Sequence, residues 1–149
     1  MLDGCPENGP ALVVDEARRI HVVWPTLVPG ATPASEPTLA LFYAMSSDGR
    51  QFTARQRIPT QGFPRHPQVS LGRTGQLIVA WDEQANGTRR IAVARGAIDD
   101  KGIPRFVRQQ IGDGTRADYP VLAVVNDGTI VAWTSGSAGQ SVIHTERLD

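Results

Sequence analysis

The sequence predicts an all-β protein of three repeated antiparallel blades, each of four strands, with the last blade lacking its fourth. Three observations carry this. One motif occurs three times: a proline, an alternating apolar strand, a polar turn, and a second apolar strand ending in tryptophan. The three tryptophans of the chain, Trp24, Trp81 and Trp133, all fall in that slot, 57 and then 52 residues apart. No segment sustains a helical period, and the nearest candidate, 34–41, is interrupted by Pro37. Four antiparallel strands in about 50 residues, repeated along the chain, is the pattern of a β-propeller blade.

The elements follow in order. The first hairpin pairs 10–15 with 19–24, the second 67–71 with 76–81, and the third 120–125 with 129–133. Gly72-Arg73-Thr74-Gly75 and Asn126-Asp127-Gly128 supply turn chemistry to the last two, whereas Glu16-Ala17-Arg18 in the first has no glycine. Runs such as Ile78-Val79-Ala80-Trp81 are apolar on both faces, which marks strands covered by neighbouring layers. Third strands follow at 39–45, 90–94 and 141–145, and fourth strands at 54–58 and 106–111. The blades therefore span about 10–60, 66–112 and 119–149 of a single half-propeller domain, 1–149. A sandwich of eleven strands is the competing all-β arrangement, but it has no need of one motif three times in register.

Composition narrows the function classes. Lys+Arg and Asp+Glu are equal at 15 each, so nothing in the charge balance calls for nucleic acid or an anionic membrane. No apolar run reaches the roughly 18–20 residues of a spanning helix. The single cysteine, Cys5, excludes an intrachain disulfide and reads as a packed thiol. The first residues lack the basic and apolar regions of a signal peptide, which leaves a cytoplasmic protein or a secreted one whose leader has been removed. Asn86-Gly87-Thr88 matches a glycosylation sequon. His21, His66 and His144 fall in different blades without ligand spacing, so neither a metal nor a cofactor is expected, and His21 and His144 read as partly exposed strand positions.

Blade topology then sorts the polar residues. Links leading into each first strand, and those from second to third strands, share one end of the blades. That end carries Glu7 and Asn8, Arg65 and His66, Asp82 and Glu83, and Asp118 and Tyr119. Acids, a cation, an imidazole and a phenol converging on one mouth suit a polar ligand, with Arg65, His66, Asp82, Glu83 and Asp118 as its candidate contacts.

The link between the third and fourth strands of the first blade reads Ser46-Ser47-Asp48-Gly49-Arg50-Gln51-Phe52. It resembles the Asp-box turn of sialidase-like BNR propellers, in which Ser46, Asp48, Gly49 and Phe52 would have a structural task. The aspartate would accept N–H groups of its own turn, the glycine would take a left-handed conformation, and the aromatic ring would pack between sheets. The second blade keeps only Asp99-Asp100-Lys101-Gly102 in that link. Ala117-Asp118-Tyr119-Pro120-Val121-Leu122, followed by Asn126-Asp127-Gly128-Thr129-Ile130, is similar to the sialidase segment in which a tyrosine precedes a strand and an Asp-Gly-Thr-Ile turn. The resemblance covers the whole chain and points to the C-terminal half of a bacterial exo-sialidase-like, six-bladed propeller.

That resemblance implies a glycoside hydrolase with Tyr119 as nucleophile and Glu7 as its base. A neutral phenol suits a substrate whose own carboxylate would repel a carboxylate nucleophile. The family's arginine triad and catalytic aspartate motif are not found, Trp24 stands where an arginine would close the first hairpin, and Pro120 follows the tyrosine. A non-catalytic module that binds carbohydrate or protein, or serves as an assembly scaffold, is the alternative. Three blades cannot close a ring. Either a homodimer completes six blades, with residues 1–9 of the partner copy supplying the missing strand, or a separate N-terminal half does so.

Overall fold

The structure, a computed structural model, describes residues 8–30, 32, 34–98, 103–137 and 139–148. Among these are eleven strands: β1 (Ala11–Val14), β2 (Ile20–Val28), β3 (Thr38–Ser46), β4 (Gln56–Ile58), β5 (Phe63–Leu71), β6 (Leu77–Ala85), β7 (Thr88–Ile98), β8 (Pro104–Gln110), β9 (Ala117–Val125), β10 (Gly128–Ser135) and β11 (Val142–Arg147). They form two four-stranded sheets and one three-stranded sheet, each in chain order. Every neighbouring pair is antiparallel. This is the expected arc of three blades.

Local chemistry sets the strand boundaries. Strand β5 begins at Phe63 and β9 at Ala117, ahead of the prolines that the motif places first, because each strand runs through a bulge at its X-Pro pair. Strands β6 and β7 extend to Ala85 and from Thr88 because Asn86 and Gly87 adopt φ of 51° and 78°, the two-residue hairpin turn that Asn-Gly favours. The β1–β2 turn manages without glycine. Arg18 takes φ 61°, and the Asp15 carboxylate accepts the Arg19 backbone N–H at 2.8 Å.

The blades stack face to face, and Trp81 and Trp133 each face the preceding blade. Trp81, Val79, Ala92, Ala94 and Phe106 of the second blade pack on Val23, Leu41, Tyr43 and Ile58 of the first. Val131 and Trp133 of the third pack on Ile78, Ala80, Ile91 and Val93 of the second. Gly96 makes room in the first of these layers, since a Cβ there would lie 2.7 Å from the Phe106 ring. Strand β6 is sandwiched between both layers, which is why Leu77, Ile78, Val79, Ala80 and Trp81 are all fully buried.

One expectation needs correction. His21 is buried rather than partly exposed: its Nδ1 hydrogen-bonds the Tyr43 hydroxyl at 2.8 Å and its Nε2 lies 3.2 Å from Asp15. The period of two places it on the face that meets the second blade, where a polar ring must find partners. His144 is half-buried, stacked on Trp133 at 5.7 Å.

Burial alone would raise the Asp15 carboxyl, but hydrogen bonds from Arg19 and His21 outweigh it and bring it down to about 2. Burial also pushes the Tyr43 phenol up to about 12. A carboxyl held below its ordinary 3.8 stabilises the fold fully above that pH, and the contribution is lost as pH falls through about 2. The stability gap between the native protein and Asp15→Asn is therefore expected to be full near neutral pH and to close in that acid window. Urea midpoints across the range measure it.

At the opposite end of the first blade from the candidate mouth, the Asp48 carboxylate accepts the Arg50 and Gln51 N–H groups at 2.8 and 2.9 Å and the Ser46 hydroxyl at 3.0 Å. Gly49 takes φ 70°. Phe52, expected between sheets, is 48% exposed, because no blade among the described residues covers that side of the first sheet. Residues 99–102, the corresponding link of the second blade, lie outside the described residues, as does Cys5.

Candidate ligand site at one end of the blades

Two equivalent bulges build the site. His66 in β5 and Tyr119 in β9 each precede a proline and adopt left-handed φ of 48° and 56°. Left-handed backbone before proline is unfavourable, by about 1–3 kcal/mol for a strained residue. Each is held by a side chain from the preceding blade. The His66 N–H donates to Asn8 Oδ1 at 3.0 Å, and the Tyr119 N–H donates to Asp82 Oδ2 at 3.1 Å. The bulges turn both rings toward the same end of the arc, where they lie with centroids 4.3 Å apart.

Asp82 is the hub. It is fully buried near the end of β6, and its Oδ2 also meets His66 Nδ1 at 2.5 Å. Its Oδ1 has no hydrogen-bond partner among the described residues and lies 3.6 Å from Arg89 Nε. Burial raises the Asp82 carboxyl above its ordinary range, against the opposing pull of His66, the Tyr119 N–H and Arg89. Arg89 Nη1 reaches Asp118 at 3.0 Å, and Arg116 Nε meets the other Asp118 oxygen at 3.2 Å. A polar chain His66–Asp82–Arg89–Asp118–Arg116 thus crosses from the second blade to the third. Beside it lies an open pocket of about 320 Å³ lined by Gln84, Gly87, Thr88, Arg89 and Arg116. Tyr119 is 50% exposed, and its backbone is tied to Asp82, which lies 3.6 Å from the pocket-lining Arg89.

The sequence-derived candidates divide accordingly. His66, Asp82, Asp118 and Tyr119 come together. Glu83 does not join them: alternation along β6 points it to the other face, where it accepts Trp81 Nε1 at 2.9 Å, the Gln61 N–H at 3.0 Å and the Arg108 guanidinium. Arg65 is exposed beside the bulge and makes none of these contacts. Glu7 lies outside the described residues. Arg89 and Arg116 were not foreseen. The Asn86-Gly87 turn was the missed signal for Arg89, since a two-residue hairpin fixes the register that pairs Arg89 with Gln84, next to Asp82 and Glu83.

Comparison with known proteins supports the architecture. No family model matches the sequence, and no curated protein matches it significantly. Solved structures do match. A glycosyl hydrolase from Bacteroides ovatus aligns with a TM-score of 0.61 at 15% identity, over 93% of this chain and 45% of that one. A putative glycoside hydrolase from Parabacteroides distasonis gives 0.58 at 16% identity, over 86% and 46%. A structure described under the GH130 family of mannoside phosphorylases, which contains glycoside hydrolases targeting β-1,2 mannosidic linkages, gives 0.52 at 15% identity, over 94% and 50%. The shared feature is the fold, and the chain spans about half the length of these structures.

Proposed function

We propose that this chain is a carbohydrate-active propeller module that binds a sugar at the end of the blades where His66, Asp82, Arg89, Asp118 and Tyr119 converge. One observation carries this: a half-exposed tyrosine, held by a strained backbone and the buried Asp82 carboxylate, is tied through Asp82 to Arg89, which lines an open pocket with Gln84 and Arg116. Sugars are recognised by an aromatic face against their C–H groups and by planar donors and acceptors against their hydroxyls. Tyr119 supplies the first, and Arg89, Arg116 and Gln84 the second. The glycoside-active names of proteins with the same fold support the ligand class.

A second reading is sialoside hydrolysis with Tyr119 as nucleophile, in line with the sequence resemblance. The observation in its favour is the base beside the phenol. The His66 ring lies against Tyr119, centroids 4.3 Å apart and tilted by 36°, and its Nδ1 is engaged by Asp82. In this reading His66 takes the part that the family resemblance implies for Glu7.

Titration of sialyllactose and β-1,2-mannobiose, alongside fluorogenic glycosides of the same sugars, separates the two. Binding without turnover that falls about tenfold in Tyr119→Ala and persists in Tyr119→Phe, a difference of ~1.4 kcal/mol, is expected for a stacking platform. Turnover abolished by Tyr119→Phe establishes the hydrolase instead. No saturable binding by a folded protein overturns both.

A further inference from the structure

The two internal blade interfaces obey one docking rule, and each half of that rule is also present, unfilled, at an end of the arc. In the second blade the tryptophan-bearing face offers Val79, Trp81 and Ala94, all fully buried under the first blade. By strand register the same positions in the first blade are Val22, Trp24 and Ala44. There they line an open apolar groove of about 460 Å³ together with Phe52, Thr53 and Arg55.

The other half of the rule lies on the third blade. The face that covers Trp133 is formed in the second blade by Ile78, Ala80, Ile91 and Val93. Register places Ile130, Ala132, Ile143 and Thr145 at these positions in β10 and β11, with Val121 beside Ala132. Among the described residues nothing covers that face, and Ile143 is 66% and Val121 54% exposed. Apolar side chains this exposed, repeated in register on one sheet face, mark a surface that is normally covered.

We infer that the occupant of each face is a second copy of this chain: the Ile143 face of one copy packs into the Trp24 groove of the other, and the reciprocal contact closes the ring. The contact is head-to-tail, as both internal interfaces are, so no new mode of packing is needed. Closure sets the stoichiometry. Propellers hold roughly four to eight blades, which two copies of three blades satisfy and three copies exceed. The inference does not depend on what the polar site binds.

Size-exclusion chromatography with light scattering on the purified chain tests it. The expected mass is twice 16.1 kDa. Ile143→Asp is expected to give a folded monomer, with association at least tenfold weaker and an unchanged circular dichroism spectrum; Val121→Asp serves if that variant misfolds. In a Cys5→Ser background, a bismaleimide is expected to join Phe52→Cys chains to Ile143→Cys chains when the two are mixed, and to join neither with itself. A monomeric wild type, including one that pairs only with a different chain, overturns the inference. So does any other mass, a dimer that both aspartate variants leave intact, or cross-linking within either variant alone.

Discussion

Trp81→Ala is expected to lower the unfolding free energy by about 3–5 kcal/mol, the range for deleting a large aromatic from a packed core. Trp81 is fully buried between the first two blades, and its indole N–H donates to Glu83 Oε2 at 2.9 Å. Truncation would open a cavity against Val23, Leu41, Tyr43 and Ile58 and remove one donor from a buried carboxylate. Domains of this size hold about 5–15 kcal/mol in all, so the variant would sit near the limit of folding. Trp81→Phe keeps most of the apolar surface and should remain folded with a smaller loss. The informative control is Trp24→Ala. The same motif position in the first blade is only half-buried within one chain, so the intrinsic loss there should be well under half as large. Urea midpoints in an Ile143→Asp background, where no second copy covers Trp24, measure all three.

Asp82→Ala is expected to cost a similar amount by a different route. A buried carboxylate that loses its charge and volume leaves Tyr119 N–H without an acceptor, His66 Nδ1 without its partner, and Arg89 with Asp118 alone. Removing one member of a buried charged network typically costs about 3–5 kcal/mol, because the remaining groups stay buried and unpaired. The left-handed backbone at Tyr119 would also lose the contact that holds it. Asp82→Asn separates these contributions. Its amide oxygen can still accept one N–H, so the bulge should survive, while the charge that orients Arg89 is gone. Asparagine is therefore expected to recover much of the stability and to leave sugar binding weakened, whereas Asp118→Asn should weaken binding with a smaller stability loss. Denaturant unfolding and sugar titration on the same samples read the two effects apart.

The triplet of tryptophans, the prolines ahead of them and the period-two runs determined the architecture without help. A strand apolar on both faces has only one home, between two layers, and β6 occupies it. The Asp48 turn was equally legible, because its bonds are local and a Ser-x-Asp-Gly segment carries its own acceptor and its own left-handed residue.

Tertiary structure decided what those local rules could not reach. His21 looked like an ordinary strand position until Tyr43 and Asp15 were brought to it from neighbouring segments. Adjacent residues Asp82 and Glu83 looked interchangeable, yet the alternation of a strand sends one into the polar cluster and the other under Trp81. Arg89 and Arg116 were ordinary surface arginines on paper. They became part of the site because a two-residue turn fixed one register and the packing of the third blade on the second placed Asp118 between them. Period, turn chemistry and burial pattern are properties of short segments and can be read along a chain. Which groups face each other across two blades depends on register and stacking, which are settled only when the sheets come together.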